Sequence, residues 1–199
     1  MIRFSLALTG LALAWGAMAQ DAGKQPNPWF AVPHGAQFLT GDTWTFSGET
    51  HRLYGVQSCI RGTQFTNGAG AKVDCGEASL SMLVALIRDL KPVCTTTGWR
   101  AETRTRFLTC VAQPKDGAAA GSRIDLAVAL ISTGWAFAAV NPDGKAVHPA
   151  YMVAQAVAQK QRAGLWQFAD LPDPNAVILR QLRGGAVAPA PSPTSASSP

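Results

Sequence analysis

The four cysteines of this chain stand at Cys59, Cys75, Cys94 and Cys110, so that the first two and the last two are each 16 positions apart. What such a set can do depends on the redox compartment, and the amino terminus speaks to that. Met1, Ile2 and Arg3 form a short positive segment, residues 4–15 are apolar apart from Ser5, Thr9 and Gly10, and Ala17-Met18-Ala19 fits a small-x-small cleavage pattern with Gln20 as the new terminus. That order is the pattern of a secretory signal peptide over residues 1–19, with an uncleaved amphipathic anchor as the alternative. Residues 124–140, the longest later apolar stretch, are interrupted by Asp125, Ser132, Thr133 and Gly134 and fall short of a membrane span. The expected location is periplasmic or secreted. In an oxidising compartment an even number of cysteines argues for disulfides, and four cysteines allow three pairings. Local spacing favours Cys59–Cys75 and Cys94–Cys110, each closing a loop worth about 3 kcal/mol in the chain-entropy account. Zinc has less support, because the chain has no Cys-x-x-Cys and His34, His51 and His148 are dispersed.

Composition narrows the body between these landmarks. Of 199 residues, 47% are hydrophobic and 15% charged, which excludes a wholly disordered chain and suits one domain with tails. The formal net charge of +5 permits an anionic partner, but no Lys/Arg run marks a nucleic-acid tail. The chain divides into an extended entry segment (20–36), a folded domain (37–180) and, at 184–199, a stretch rich in Ala, Pro and Ser without charge from Ala186 onwards, expected to be disordered.

Within the domain the order of elements carries the fold class. Residues 37–46 read as one strand bent at Gly41-Asp42-Thr43, and residues 52–56 as a second strand after a turn at Ser47-Gly48-Glu49. A Gly-rich loop at 67–70 precedes a helix opened by Asp74 and stopped by Pro92, whose apolar spacing runs from Ala78 to Ile87. Residues 92–97 and 106–112 read as paired strands that Cys94–Cys110 would staple. Helices follow at 126–131 and 151–163, the latter with Gly164 as its C-cap. The layout is α+β, a small antiparallel sheet curled towards a barrel, with about three helices.

Four segments in this order resemble the thermonuclease (staphylococcal-nuclease-like) family. They are Gly41-Asp42-Thr43, Arg52-Leu53-Tyr54-Gly55-Val56, Cys75-Gly76-Glu77-Ala78, and the pair Gly134-Trp135-Ala136 with Arg162-Ala163-Gly164-Leu165-Trp166. The likeness covers about residues 37–170 and lies nearest the exported bacterial branch. It implies a five-stranded OB-fold barrel and a phosphodiesterase site in which carboxylates hold calcium, a glutamate activates water and two arginines neutralise the phosphate. The metal and arginines stabilise charge on the phosphoryl oxygens, and the glutamate takes the proton.

Carried over residue by residue, the resemblance places Asp42 as a calcium ligand and Arg52 as the first phosphate arginine. The remaining positions depart from it. Gln57 stands where a second calcium aspartate is expected, Ile60 where the glutamate base is expected, and Thr105 where the second arginine is expected. Arg104 and Arg106 flank Thr105 and are candidates for that arginine, although a one-residue slip along a strand reverses the face. Asp74 and Glu77, brought near by Cys59–Cys75, are candidates to replace the base; helix capping and a first-turn charge are their ordinary roles.

Trp44, Trp99, Trp135 and Trp166 are candidates to stack on bases or sugars; Trp135 and Trp166 match core positions of the family, which favours packing, whereas Trp29 and Trp99 are candidate surface platforms. Arg52, Arg61, Arg100, Arg104 and Arg106 either form one basic cleft or scatter over the surface. The expectation is an exported thermonuclease-like domain with an incomplete site, little or no nuclease activity and a binding or accessory role in the cell envelope. Its partner would be an anionic polymer, nucleic acid or acidic polysaccharide, or an envelope protein. Residues 52–59 and 74–85 are also similar to exported nuclease-fold proteins tied to exopolysaccharide (succinoglycan) biosynthesis in rhizobia. The alternative is a calcium-dependent nuclease with a rebuilt site.

Overall fold

The computed structural model describes residues 28–114 and 120–184; the expected signal peptide and nearly all of the expected tail lie outside them. The strands are β1 (Phe30–Ala31), β2 (Gln37–Thr40), β3 (Thr43–Phe46), β4 (Glu49–Leu53), β5 (Val56–Gln57), β6 (Gln64–Thr66) and β7 (Lys72–Asp74). Helix α1 (Cys75–Leu90) follows, then β8 (Val93–Arg100), β9 (Thr105–Ala112), β10 (Ile124–Asp125), α2 (Leu126–Ser132) and β11 (Phe137–Ala138). Helices α3 (Pro149–Gln161) and α4 (Pro174–Leu182) close the described chain.

The main sheet runs in the order β1-β8-β9-β4-β3-β2, with β10 added to β9. It is a curled, open sheet with β1 and β2 at its ends. Most pairs are antiparallel, but β4 lies parallel to β9, with Thr50 opposite Thr105 and Leu53 opposite Leu108. Side chains alternate across a strand. Glu49, His51 and Leu53 therefore share one face with Arg106 and Leu108, while Arg52 shares the other with Thr105 and Phe107. The first of these faces leads into the core, where Leu53, Leu108 and Trp44 are buried with Leu83 of α1 and Leu126, Leu130 and Ile131 of α2.

The mixed α+β class is as expected, and the boundaries were partly legible. Residues 37–46 are two strands, not one bent strand: they turn at Gly41-Asp42 and pair antiparallel, Phe38 opposite Trp44. The Gly-rich loop is the turn of the β6–β7 hairpin. Helix α1 is capped by Asp74, whose side chain accepts from the Glu77 N–H, and ends on Lys91 in the left-handed region, with Pro92 next. Helix α3 ends earlier than expected: Arg162, at φ 52°, is its C-cap, and Gly164 opens a 3-10 turn instead. Four helices are described rather than about three. The addition is α4, capped by Asp173, which accepts from the N–H groups of Asn175 and Ala176.

Both expected disulfides are present, Cys59–Cys75 and Cys94–Cys110. The second joins directly opposed residues of β8 and β9. The first joins the β5–β6 loop to the start of α1, in a smaller buried cluster with Phe65, Phe137 and Leu165. No described helix is long and apolar enough to cross a membrane.

Candidate functional site

The turn that separates β2 from β3 places Asp42, and glycine makes that turn possible. A Cβ on Gly41 would lie 2.6 Å from Ser79 Cβ and 2.7 Å from the Ser79 carbonyl carbon, so the turn sits directly on α1. Ser79 is itself buried; its Oγ donates to the Trp135 carbonyl at 2.8 Å and accepts from the Cys59 N–H at 3.3 Å. Gly76 allows a second close approach, since a Cβ there would fall 2.5 Å from the Arg61 nitrogen. Residues 58–61 and the Gly41-Asp42 turn are thereby held beside one another at the start of α1.

Asp42 is 2% exposed and its carboxylate is filled from within. Oδ1 accepts from Thr40 Oγ1 at 2.5 Å, Thr43 Oγ1 at 3.0 Å and Ser58 Oγ at 3.1 Å. Oδ2 accepts from Arg52 Nε at 3.0 Å. Arg52 then donates through Nη2 to Gln57 Oε1 at 2.8 Å, and Gln57 Nε2 donates to the Ser58 carbonyl at 2.9 Å. This closed network ties Asp42, Arg52, Gln57 and Ser58 into one unit on the outer face of the sheet.

A cleft of about 370 Å³ opens above it, lined by Arg52, Gln57, Ile60 and Arg61 and bordered by Ile178 of α4. Asp42 is the only acidic residue among its lining groups. Calcium requires six to eight oxygen ligands. Both oxygens of Asp42 already accept hydrogen bonds, the Gln57 oxygen accepts from a guanidinium, and Ile60 contributes none, so this donor set does not fit calcium. Among the described residues, no group of three or more His, Cys, Asp or Glu comes together as a metal site.

The candidate replacements for the base are engaged elsewhere. Asp74 accepts from Glu77 N–H at 3.0 Å and Gly62 N–H at 2.7 Å. Partial burial would raise its carboxyl, but these backbone donors outweigh that and hold it below the ordinary value. Glu77 makes an exposed ion pair with Arg61 at 3.2 Å. Neither residue lines the cleft.

The candidate second arginines also part company. Arg106 faces the opposite side of the sheet from Arg52. It is gripped by Glu49, through Nε to Oε2 at 2.5 Å and Nη2 to Oε1 at 3.1 Å, and its guanidinium lies 5.0 Å from the Trp99 ring. That hydrogen-bonded pair holds the Glu49 carboxyl below its usual range. Arg104 is exposed in the β8–β9 turn at φ 48°, and its carbonyl accepts from the Thr50 N–H at 2.9 Å. Thr105 is buried and pairs with the Thr103 hydroxyl at 2.8 Å. Besides Arg61 in the cleft, Arg100, across from Thr105 at the end of β8, shares a second cavity with Arg52. Sequence spacing from Cys110 does not find it, because the register shifts between Thr96 and Gly98 and β8 runs three residues past its expected end.

Of the aromatic candidates, Trp44 is fully buried, Trp135 packs against both core clusters and Trp166 packs edge-on against Phe137. Trp99 is 47% exposed beside Arg106, and Trp29 stacks with Arg123 at 5.9 Å. In comparison with known proteins, the chain matches no protein-family model and no curated relative.

Proposed function

We propose that this protein is an exported, thermonuclease-like domain on an OB-type barrel that has lost phosphodiester hydrolysis and serves as a binding module in the cell envelope, periplasmic or secreted. The curled sheet with its parallel β4–β9 pair, the ordered motifs and the two disulfides support that lineage and compartment. One observation carries the loss of hydrolysis: the Asp42 carboxylate is saturated by three hydroxyls and Arg52, so the residues that match a metal-and-arginine site neutralise each other. No carboxylate stands at Ile60 to take a proton from water.

What survives is a surface suited to anions. Arg52 and Arg61 line the cleft, and Arg100 stands in the adjoining cavity. Guanidinium forks suit phosphate and carboxylate groups alike. The reading is an accessory protein that holds an anionic polymer, with acidic exopolysaccharide as the occupant the resemblance favours.

Digestion of plasmid, denatured DNA and RNA by the mature protein, with calcium and then with EDTA, tests the loss. The expected rate is at least about 10²-fold below that of an active family member, the lower range for a missing general base. Arg52→Ala should leave any residual hydrolysis unchanged. Robust calcium-dependent turnover that Arg52→Ala abolishes would overturn the proposal.

A further inference from the structure

A second cavity, of about 540 Å³, lies next to the cleft between the outer face of the sheet and α4. Its floor includes Arg100 and Phe107, and its roof is the apolar side of α4: Ile178, Leu179 and Leu182. No acidic residue lines it. Two features are unusual for a helix laid on a small domain. Of its residues only Pro174 is buried, and Leu182 is 63% exposed. The side-chain tether at its N-terminal end is Asn175 Nδ2 donating to the Ala138 carbonyl at 3.0 Å. Close-packed interiors leave few voids larger than a water molecule. Here three large aliphatic side chains border open volume of the size that ligand pockets have, roughly 300–1,000 Å³.

The charged end of the cavity is as incompletely matched as the apolar end. Arg100 makes no ion pair among the described residues, and its guanidinium stands 5.7 Å from the Phe107 ring. Arg52 spends Nε on Asp42 and Nη2 on Gln57, which leaves Nη1 without a hydrogen-bond partner among the described residues. Two guanidinium groups with donors to spare, an apolar roof and no acid define the complementary ligand.

We infer that this cavity is a binding site for a small amphipathic anion, an acyl carboxylate whose head meets Arg100 and Arg52 Nη1 and whose chain lies beneath Ile178, Leu179 and Leu182. The ligand covers the apolar side of α4 and closes the helix onto the sheet. The site adjoins the cleft above Asp42 and shares Arg52, Gln57 and Ile178 with it, but its occupancy does not depend on whether that cleft hydrolyses anything.

Isothermal titration of the full mature chain with decanoate, well below its micellar range, tests this. Saturable one-to-one binding is expected. Inorganic phosphate and decanol, which carry the head or the chain alone, should each bind at least about tenfold more weakly. Arg100→Gln should weaken decanoate by about tenfold, charge-assisted bonds being the stronger class. Leu182→Asp, at an exposed position that folding tolerates, should weaken it by a similar factor through an added like charge. Circular dichroism checks that both variants remain folded. Decanol binding as tightly as decanoate would overturn the inference, as would unchanged affinity in Arg100→Gln. A nucleoside monophosphate binding as well as decanoate would overturn the acyl assignment. A doubled mass in light scattering would assign the cavity to a second copy of the chain.

Discussion

Replacing Asp42 by asparagine separates two roles that a metal nuclease and this protein would give the same residue. Asparagine keeps the size of the side chain and one carbonyl oxygen but loses the charge. Three hydroxyl donors then bond to a neutral oxygen, and charge-assisted hydrogen bonds are about twice as strong as neutral ones. The Asp42–Arg52 pair is lost outright. Because the Arg52 side chain is 36% exposed, solvent screening limits that pair to about 1 kcal/mol. Each weakened hydroxyl bond adds about 0.5 kcal/mol, half of a typical net hydrogen bond. The expected destabilisation is about 2–3 kcal/mol, a fall in midpoint of about 5–10 °C for a domain of this size. Asp42→Ala strands the buried Ser58 hydroxyl as well and should cost about 4 kcal/mol. Thermal unfolding followed by circular dichroism, with disulfides intact and with EDTA or calcium added, measures both variants. If Asp42→Asn unfolds within about a degree of the parent, the network is not structural. If calcium raises the parent's midpoint and not the variant's, Asp42 is a metal ligand, since a ligand bound to the native state stabilises by mass action.

Three further outcomes follow from the geometry. His51 is buried against Trp44, and burial lowers its pKa below the ordinary 6.5, with Arg106 adding to the effect and Glu49 opposing it. The unfolded chain therefore takes up the proton first, so stability is complete above about pH 6.5 and falls as the pH drops through the lower folded value; urea midpoints of His51→Phe should lose that slope, and an unchanged slope would rule His51 out. Cys59→Ala with Cys75→Ala opens a loop of sequence separation 16 and should cost about 3 kcal/mol in urea unfolding, whereas an unaltered midpoint would mean that the buried cluster holds the loop unaided. Gly41→Ala drives a Cβ to 2.6 Å from Ser79 Cβ and should cost about 1–3 kcal/mol by forcing α1 away; parental stability would show that α1 yields freely at this contact.

Local rules made parts of this fold legible in the sequence. Asp74 before an apolar helical repeat, and Pro92 after it, gave α1 within two residues of its observed ends, because capping chemistry acts over one turn. The disulfides were readable because their loops are short. The turn at Gly41-Asp42 was not: a strand that bends and two strands that pair share the same alternation, and the difference lies in the contact of Gly41 with Ser79, 38 positions along the chain. Arg100 was legible only as one of five arginines of a candidate basic cleft; its place on the Arg52 face was not, since a register shift in β8 changes which side chain reaches that face without changing any local motif. Helix α4 carried its own signals, Asp173 followed by Pro174, but they fall beyond the stretch that the family resemblance covers.

The glutamine at position 57 and the conformation of Arg52 have one physical explanation. An aspartate at position 57 would set two like charges, the Asp42 one buried, against one guanidinium, an arrangement that an additional cation would stabilise. With Gln57 the second charge is absent. Its carbonyl oxygen still accepts from Arg52 Nη2, while its amide donates to the Ser58 carbonyl, so the network balances one carboxylate with one guanidinium and leaves no net demand for a metal. A cation entering would have to displace Arg52 or the three hydroxyls from Asp42 and would gain only one charged ligand. Unbalanced charge on this face is consequently positive and lies further out: Arg100 has no acidic partner among the described residues, and Arg61 has only the exposed Glu77. With Gln57 rather than a second carboxylate, the single acid of this face is balanced internally, its polar centre is locked, and guanidinium groups stand around its rim.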